Sequence, residues 1–126
     1  MATIILDTSV LLALLKINDS HHLSAVKATS VRNEYLISTV TLGEALVSTF
    51  RINKQSAQRR HQLISKVVTQ IVPIDDAIAV RAAEIRAEKK VSMPDALISA
   101  TAHIMNAQLW SCDRALVKAH TGAVQI

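Results

Sequence analysis

The chain has 126 residues, half of them apolar, enough for one compact domain with a sizeable core and too few for a second. Fourteen Lys and Arg against ten Asp and Glu leave a formal charge of +4, a balance that favours a polyanionic partner such as nucleic acid. The single cysteine, Cys112, excludes an intrachain disulfide framework and an all-cysteine zinc site, and only Tyr35, Phe50 and Trp110 are aromatic, which excludes a base-stacking platform. The apolar stretch from Ile4 to Leu15 is interrupted by Asp7, lacks a basic leader and is too short to span a bilayer. A cytoplasmic protein with no membrane partner is therefore expected.

Thr3-Ile4-Ile5-Leu6 reads as a strand covered on both faces, with Asp7 delivered at its carboxyl end. Val10 to Lys16 follows as a helix entered from Thr8 or Ser9. Asp19 or Ser20 is expected to cap a second helix to about Ser30, with Leu23, Ala25 and Val26 facing inward. Tyr35 to Ser38 is a second strand, and Thr41 is expected to open a long helix carrying Leu42, Leu46, Val47 and Phe50. Gln55 to Thr69 gives another helix, with Leu63, Ile64, Val67 and Val68 apolar. Ile71-Val72-Pro73-Ile74 is a third strand, placed at a sheet edge because proline cannot donate to a ladder.

Asp75 or Asp76 caps a helix with Ile78, Ala82 and Ile85 buried. Ser92 to Asn106 is a strongly apolar helix, Leu109 to Ser111 a fourth strand, Arg114 to Ala119 a short helix and Val124 to Ile126 a closing edge strand. Strands alternating with helices imply an α/β fold with a parallel sheet and right-handed crossovers. With the third strand at an edge, the order is most simply 3-2-1-4-5, and the switch point falls between strands 1 and 4. Asp7 and Asp113 then face each other there.

Two more acids join this rim at helix starts, Glu44 after strand 2 and Asp95 before strand 4. Each has a structural explanation. Thr41…Glu44 and Ser92…Asp95 fit the capping box, and Asp7 and Asp113 fit helix caps. Their convergence on one edge needs more than capping, because two carboxylates 4 Å apart repel by about 4 kcal/mol at an effective dielectric near 20. A hard divalent cation removes that repulsion, and oxygen-only ligands suit Mg²⁺ or Mn²⁺. Of His21, His22, His61, His103 and His120, only His103 has a paired spacing near these acids, and each reads as surface or core filler; Cys112 reads as a small buried apolar group.

These residues carry a resemblance. Ile5-Leu6-Asp7-Thr8-Ser9, Ser38 to Glu44, Pro94-Asp95 to Ala102 and Ser111-Cys112-Asp113-Arg114-Ala115-Leu116, in that order and across essentially the whole chain, resemble PIN domains of the VapC toxin type. The resemblance implies a single PIN domain over residues 1–126, a three-layer αβα sandwich of order 3-2-1-4-5. It also implies Mg²⁺- or Mn²⁺-dependent endonucleolytic cleavage of RNA, inhibition by a small DNA-binding antitoxin, and a homodimer.

Carried over by position, Asp7, Glu44, Asp95 and Asp113 are the acidic catalytic and metal set, with Ser9 and Ser111 orienting metal-bound water. The chain departs from the family at the fourth acid, where Leu116 stands in place of a further acid three residues on. Between Glu44 and Asp75 the chain carries Arg51, Lys54, Arg59, Arg60 and Lys66 but no acid, a one-signed stretch placed to hold RNA phosphates or else a solvated helix face. A haloacid-dehalogenase-type phosphatase would need an acid where Ser9 stands. The remaining alternative is a catalytically silent PIN-like module that binds RNA or protein.

Overall fold

The computed structural model describes residues 1–126. Its centre is a five-stranded, all-parallel sheet of order β3-β2-β1-β4-β5. The strands are β1 (Thr3–Leu6), β2 (Glu34–Ser38), β3 (Gln70–Val72), β4 (Gln108–Ser111) and β5 (Val124–Gln125). The expected order is borne out, but β3 starts at Gln70 and ends at Val72, so Pro73 and Ile74, expected inside it, lie just beyond it.

Two cores cover the two faces of the sheet. Because side chains alternate along a strand, Ile4 and Leu6 point to one face and Ile5 to the other. Ile4, Leu6, Tyr35 and Ile37 pack with α1 (Thr8–Leu15), α2 (His22–Thr29), α3 (Thr39–Phe50) and α4 (Lys54–Val67). Ile5, Leu36, Val72 and Leu109 pack with α5 (Asp76–Glu88), α6 (Met93–Ile104) and α7 (Arg114–Ala119). The expected stripe of α5, Ile78, Ala82 and Ile85, is buried. Gly122, at φ +86°, turns the chain from α7 into β5, a conformation that needs no Cβ.

The two helices after β1 and β2 differ from expectation. The Asp19 carboxylate accepts from His21 N–H at 2.8 Å, closing a turn instead of capping a helix, so α2 begins only at His22. Ala25 is its one fully buried residue; Leu23 is 82% exposed and Val26 44%. The small Ala25 side chain brings the helix backbone close, and that contact turns the larger neighbours outward. At α3 the cap is Ser38, whose Oγ accepts from Val40 N–H at 3.1 Å. Thr41 therefore lies inside the first turn, fully buried, while Val47 and Phe50 are exposed.

The sheet direction places the basic stretch. The strands β2 and β3 are parallel, so α4 must end at the amino edge where β3 begins. Lys66, in the last turn of α4, sits at that amino edge, away from Asp7 at the carboxyl edge, and leaves the set of residues positioned to flank the acids. Arg60 returns to the level of the acids but is committed to structure: its guanidinium donates to Ala45 O at 3.2 Å and Ser48 Oγ at 3.3 Å, tying α4 to α3. Arg51, Lys54 and Arg59 remain exposed.

Candidate active site

Asp7 is the N-cap of α1, and it is only 4% exposed. Its Oδ1 accepts from Val10 N–H at 3.0 Å and from the Ser9 hydroxyl at 2.5 Å, and its Oδ2 accepts from the Ser111 hydroxyl at 2.5 Å. The two hydroxyls are themselves held. Ser9 Oγ accepts from Cys112 N–H and Ser111 Oγ from Asp113 N–H, both at 2.9 Å. Each hydroxyl proton is thereby left for the carboxylate, and each carboxylate oxygen keeps further acceptor capacity. Burial pushes Asp7 above the ordinary carboxylate range; the two hydroxyls and the Val10 amide offset part of that, and the nearby Asp113 charge adds to it.

Asp95 lies in the first turn of α6, half-buried. Ser92 caps that helix, its Oγ accepting from Asp95 N–H at 3.2 Å, but no return bond runs from Ser92 N–H to the Asp95 carboxylate. Burial raises its pKa first, then the charges of Asp113, Asp7 and Glu44, so Asp95 lies within the field of the other three acids. Asp113 caps α7, accepting from Ala115 N–H at 2.9 Å.

Glu44 has no capping role, since its helix starts at Thr39. Its Oε1 instead accepts from the Thr8 hydroxyl at 2.6 Å, and Thr8 lies 3.3 Å from Thr41 Oγ1. The structural explanations thus hold for Asp7 and Asp113, hold by half for Asp95, and fail for Glu44. Thr8 is the residue sequence reasoning missed: it was legible only as a helix entry, while its contact with Glu44 depends on α1 and α3 packing side by side.

The chemistry of the donors fits a hard divalent cation: carboxylates without His or Cys, one of them buried at an energetic cost. They do not form a ready cage, because no three Asp, Glu, His or Cys side chains stand close enough to grip one ion together. Mg²⁺ keeps several waters and is commonly held through one or two carboxylates, which suits a partly open rim. None of the cavities is lined by the four acids, so they border open surface. Leu116, where the family pattern has an acid, is 1% exposed and fills the core under α7, so that position offers no ligand.

The histidines stay out of the site, as expected. The His22 ring meets Ala13 O at 2.7 Å, and His103 and His120 contact each other. Burial pushes the Cys112 thiol up, which suits a buried apolar group and not a nucleophile.

The raised carboxylates predict a metal-dependent inversion of pH behaviour. Asp7 and Asp95 have folded pKa values above their unfolded ones, so their ionised forms destabilise the metal-free protein, and that penalty is relieved as pH falls through the folded pKa. Melting of the chelator-treated protein between neutral and mildly acidic pH should lose this penalty in the native chain but not in an Asp7→Asn, Asp95→Asn double variant. With saturating Mg²⁺ the sign reverses, since protons then compete with the ion.

A parallel sheet whose carboxyl rim carries acids from separate crossovers defines an α/β domain with an acidic rim. The PIN domain family model matches residues 4–120, and the chain belongs to that family. Among solved structures it is similar to FitAcB from Neisseria gonorrhoeae, at 23% identity and TM-score 0.77, covering 98% of this chain and 96% of that one. It is similar to a toxin–antitoxin complex from Klebsiella pneumoniae, at 25% identity and TM-score 0.77, over 97% and 98% of the two chains. The VapC20 toxin of Mycobacterium tuberculosis, which cleaves the sarcin-ricin loop, superposes with TM-score 0.79 at 22% identity, over 98% of each chain. No curated protein matches significantly. No helix is long and apolar enough to cross a membrane.

Proposed function

We propose that residues 1–126 act as one catalytic unit, a metal-dependent endoribonuclease that is the toxin of a toxin–antitoxin pair and works on RNA in the cytoplasm. The observation that carries this reading is Asp7: a buried carboxylate held by two hydroxyls, each anchored on a backbone amide, and coupled by charge to Asp113 and Asp95. Asp7 and Asp95 are assigned as direct ligands of Mg²⁺ or Mn²⁺. Glu44 and Asp113, both more exposed, act through bound water, while Ser9 and Ser111 fix the Asp7 carboxylate. A cation at this rim lowers the pKa of a bound water and stabilises charge on the phosphate oxygens.

Arg51, Lys54 and Arg59 are exposed on the α3–α4 hairpin and carry no carboxylate partner, which leaves them free to bind RNA phosphates. Arg59→Ala should reduce the salt slope of RNA binding by about one, measured by titration at several ionic strengths. Arg60→Ala should instead lower stability, because it loosens the helix pair. The neighbours that are toxin–antitoxin structures support an antitoxin as partner. The exposed Val47, Phe50, Ile52 and Leu63 offer apolar surface for that antitoxin or for a second copy in a homodimer.

One observation favours a second reading, a silent RNA-binding module: the acids form no three-ligand cluster. The deciding experiment incubates the purified chain with structured ribosomal RNA and Mg²⁺ or Mn²⁺, with and without chelator. Cleavage that needs the cation supports the nuclease. RNA retained but uncut under every cation supports the silent module.

A further inference from the structure

The face of α6 that carries Asp95 also carries Ser99 and His103, each four residues on, so the three side chains form one stripe along the helix. The short helix α7 has Asp113 at one end and His120 at the other. His120 is only 5% exposed, and its Nδ1 lies 2.6 Å from Ser99 Oγ, itself 3% exposed. The His120 ring also meets His103 edge to face at 4.5 Å between centroids, and Lys89, just past α5, donates to Ala119 O at 2.6 Å. The far end of α7 is therefore fastened to α6, while its near end carries Asp113, whose negative charge raises the pKa of Asp95.

We infer that the Ser99–His120 hydrogen bond is a clamp that holds α7 against α6, and so keeps Asp113 within reach of Asp95 despite the repulsion between them. His120 is then a positioning residue for the acidic rim, acting from the opposite end of a six-residue helix. It touches no acid of the site. Burial, with His103 and Lys89 nearby, lowers its pKa to about 4, so the ring is neutral at neutral pH and the clamp needs no charge. A helix this short has little stability of its own, so its direction depends on its end contacts and on Leu116. The inference rests on the assignment of the rim as a divalent-cation site.

The test compares His120→Phe with His120→Asn in the full chain. Phenylalanine keeps the buried ring and loses the bond; asparagine keeps a polar atom near the Nδ1 position and loses the ring. Removal of the bond strands no donor in the Phe variant, since the Ser99 hydroxyl can turn to the carbonyl four residues back. Binding of Mn²⁺ alone is measured by calorimetry at pH 7, with thermal melting to confirm folding. We expect about a tenfold loss of Mn²⁺ affinity in His120→Phe and in Ser99→Ala, and a loss below about threefold in His120→Asn, the range seen when outer groups that orient ligands are removed. If the native chain binds Mn²⁺ and the folded Phe variant binds it equally well, or if Asn and Phe lose affinity alike, the clamp is overturned and the cation site stands. If the native chain binds no Mn²⁺, the cation site falls and the clamp with it.

Discussion

Asp7→Asn should lower RNA cleavage by more than about 100-fold, since even groups that merely orient a metal ligand cost 10- to 100-fold when removed. The substitution keeps the shape and the acceptor for Val10 N–H and Ser9, and removes the charge that the cation would neutralise. The chain should stay folded, because a buried charge whose pKa is raised by burial does not stabilise the native state. Single-turnover cleavage and far-ultraviolet circular dichroism measure the two halves of this outcome. Growth arrest on expression should disappear with the activity. A folded Asp7→Asn protein that cuts RNA with unchanged metal dependence would refute the assignment.

Replacing both Ser9 and Ser111 by alanine should cost nearly as much activity as Asp7→Asn, and unlike it should also cost stability. Each hydroxyl has two duties: it donates to Asp7 and it accepts a backbone amide from the turn between β4 and α7. Loss of the first duty leaves the carboxylate free to rotate, at roughly 10- to 100-fold in activity for each serine. Loss of the second leaves the amides of Cys112 and Asp113 unpaired in part-buried positions, at about 1–3 kcal/mol each. Urea unfolding and cleavage rates should fall together. If stability fell and cleavage did not, the hydroxyls would be holding the turn alone. The two serines act on one carboxylate, so the double loss should fall short of the product of the single losses.

The sheet order and the position of Asp7 were legible from local signals, chiefly the continuous apolar runs of buried parallel strands; Pro73, which suggested an edge, ends β3 and takes no part in its ladder. The positions of Asp7, Asp95 and Asp113 at helix starts were legible because the carboxyl rim is fixed once the order is known. Their individual environments were not. Thr41 and Glu44 have the spacing of a capping box, yet Ser38 caps one turn earlier, and that choice depends on where β2 stops. The faces of α2 were misread because a weakly periodic helix gives little direction, and the close approach at Ala25 decided which residues turned outward. Charge pattern alone could not separate Arg60 from Arg59, since only packing of α4 on α3 gives Arg60 its two acceptors. Nothing in the pattern linked His120 to Ser99, which are 21 positions apart and meet only where the end of α7 reaches α6.

Both outer strands of the sheet are very short: Gln70–Val72 stops at a proline, and Val124–Gln125 offers a two-residue ladder. An unpaired strand of ordinary length is a template on which foreign chains extend a sheet, and these two are too brief to serve as one. Growth into fibrils by strand addition is thereby discouraged at both borders. Any lasting association of this molecule, with a copy of itself or with an inhibitor, is left to its helical flanks.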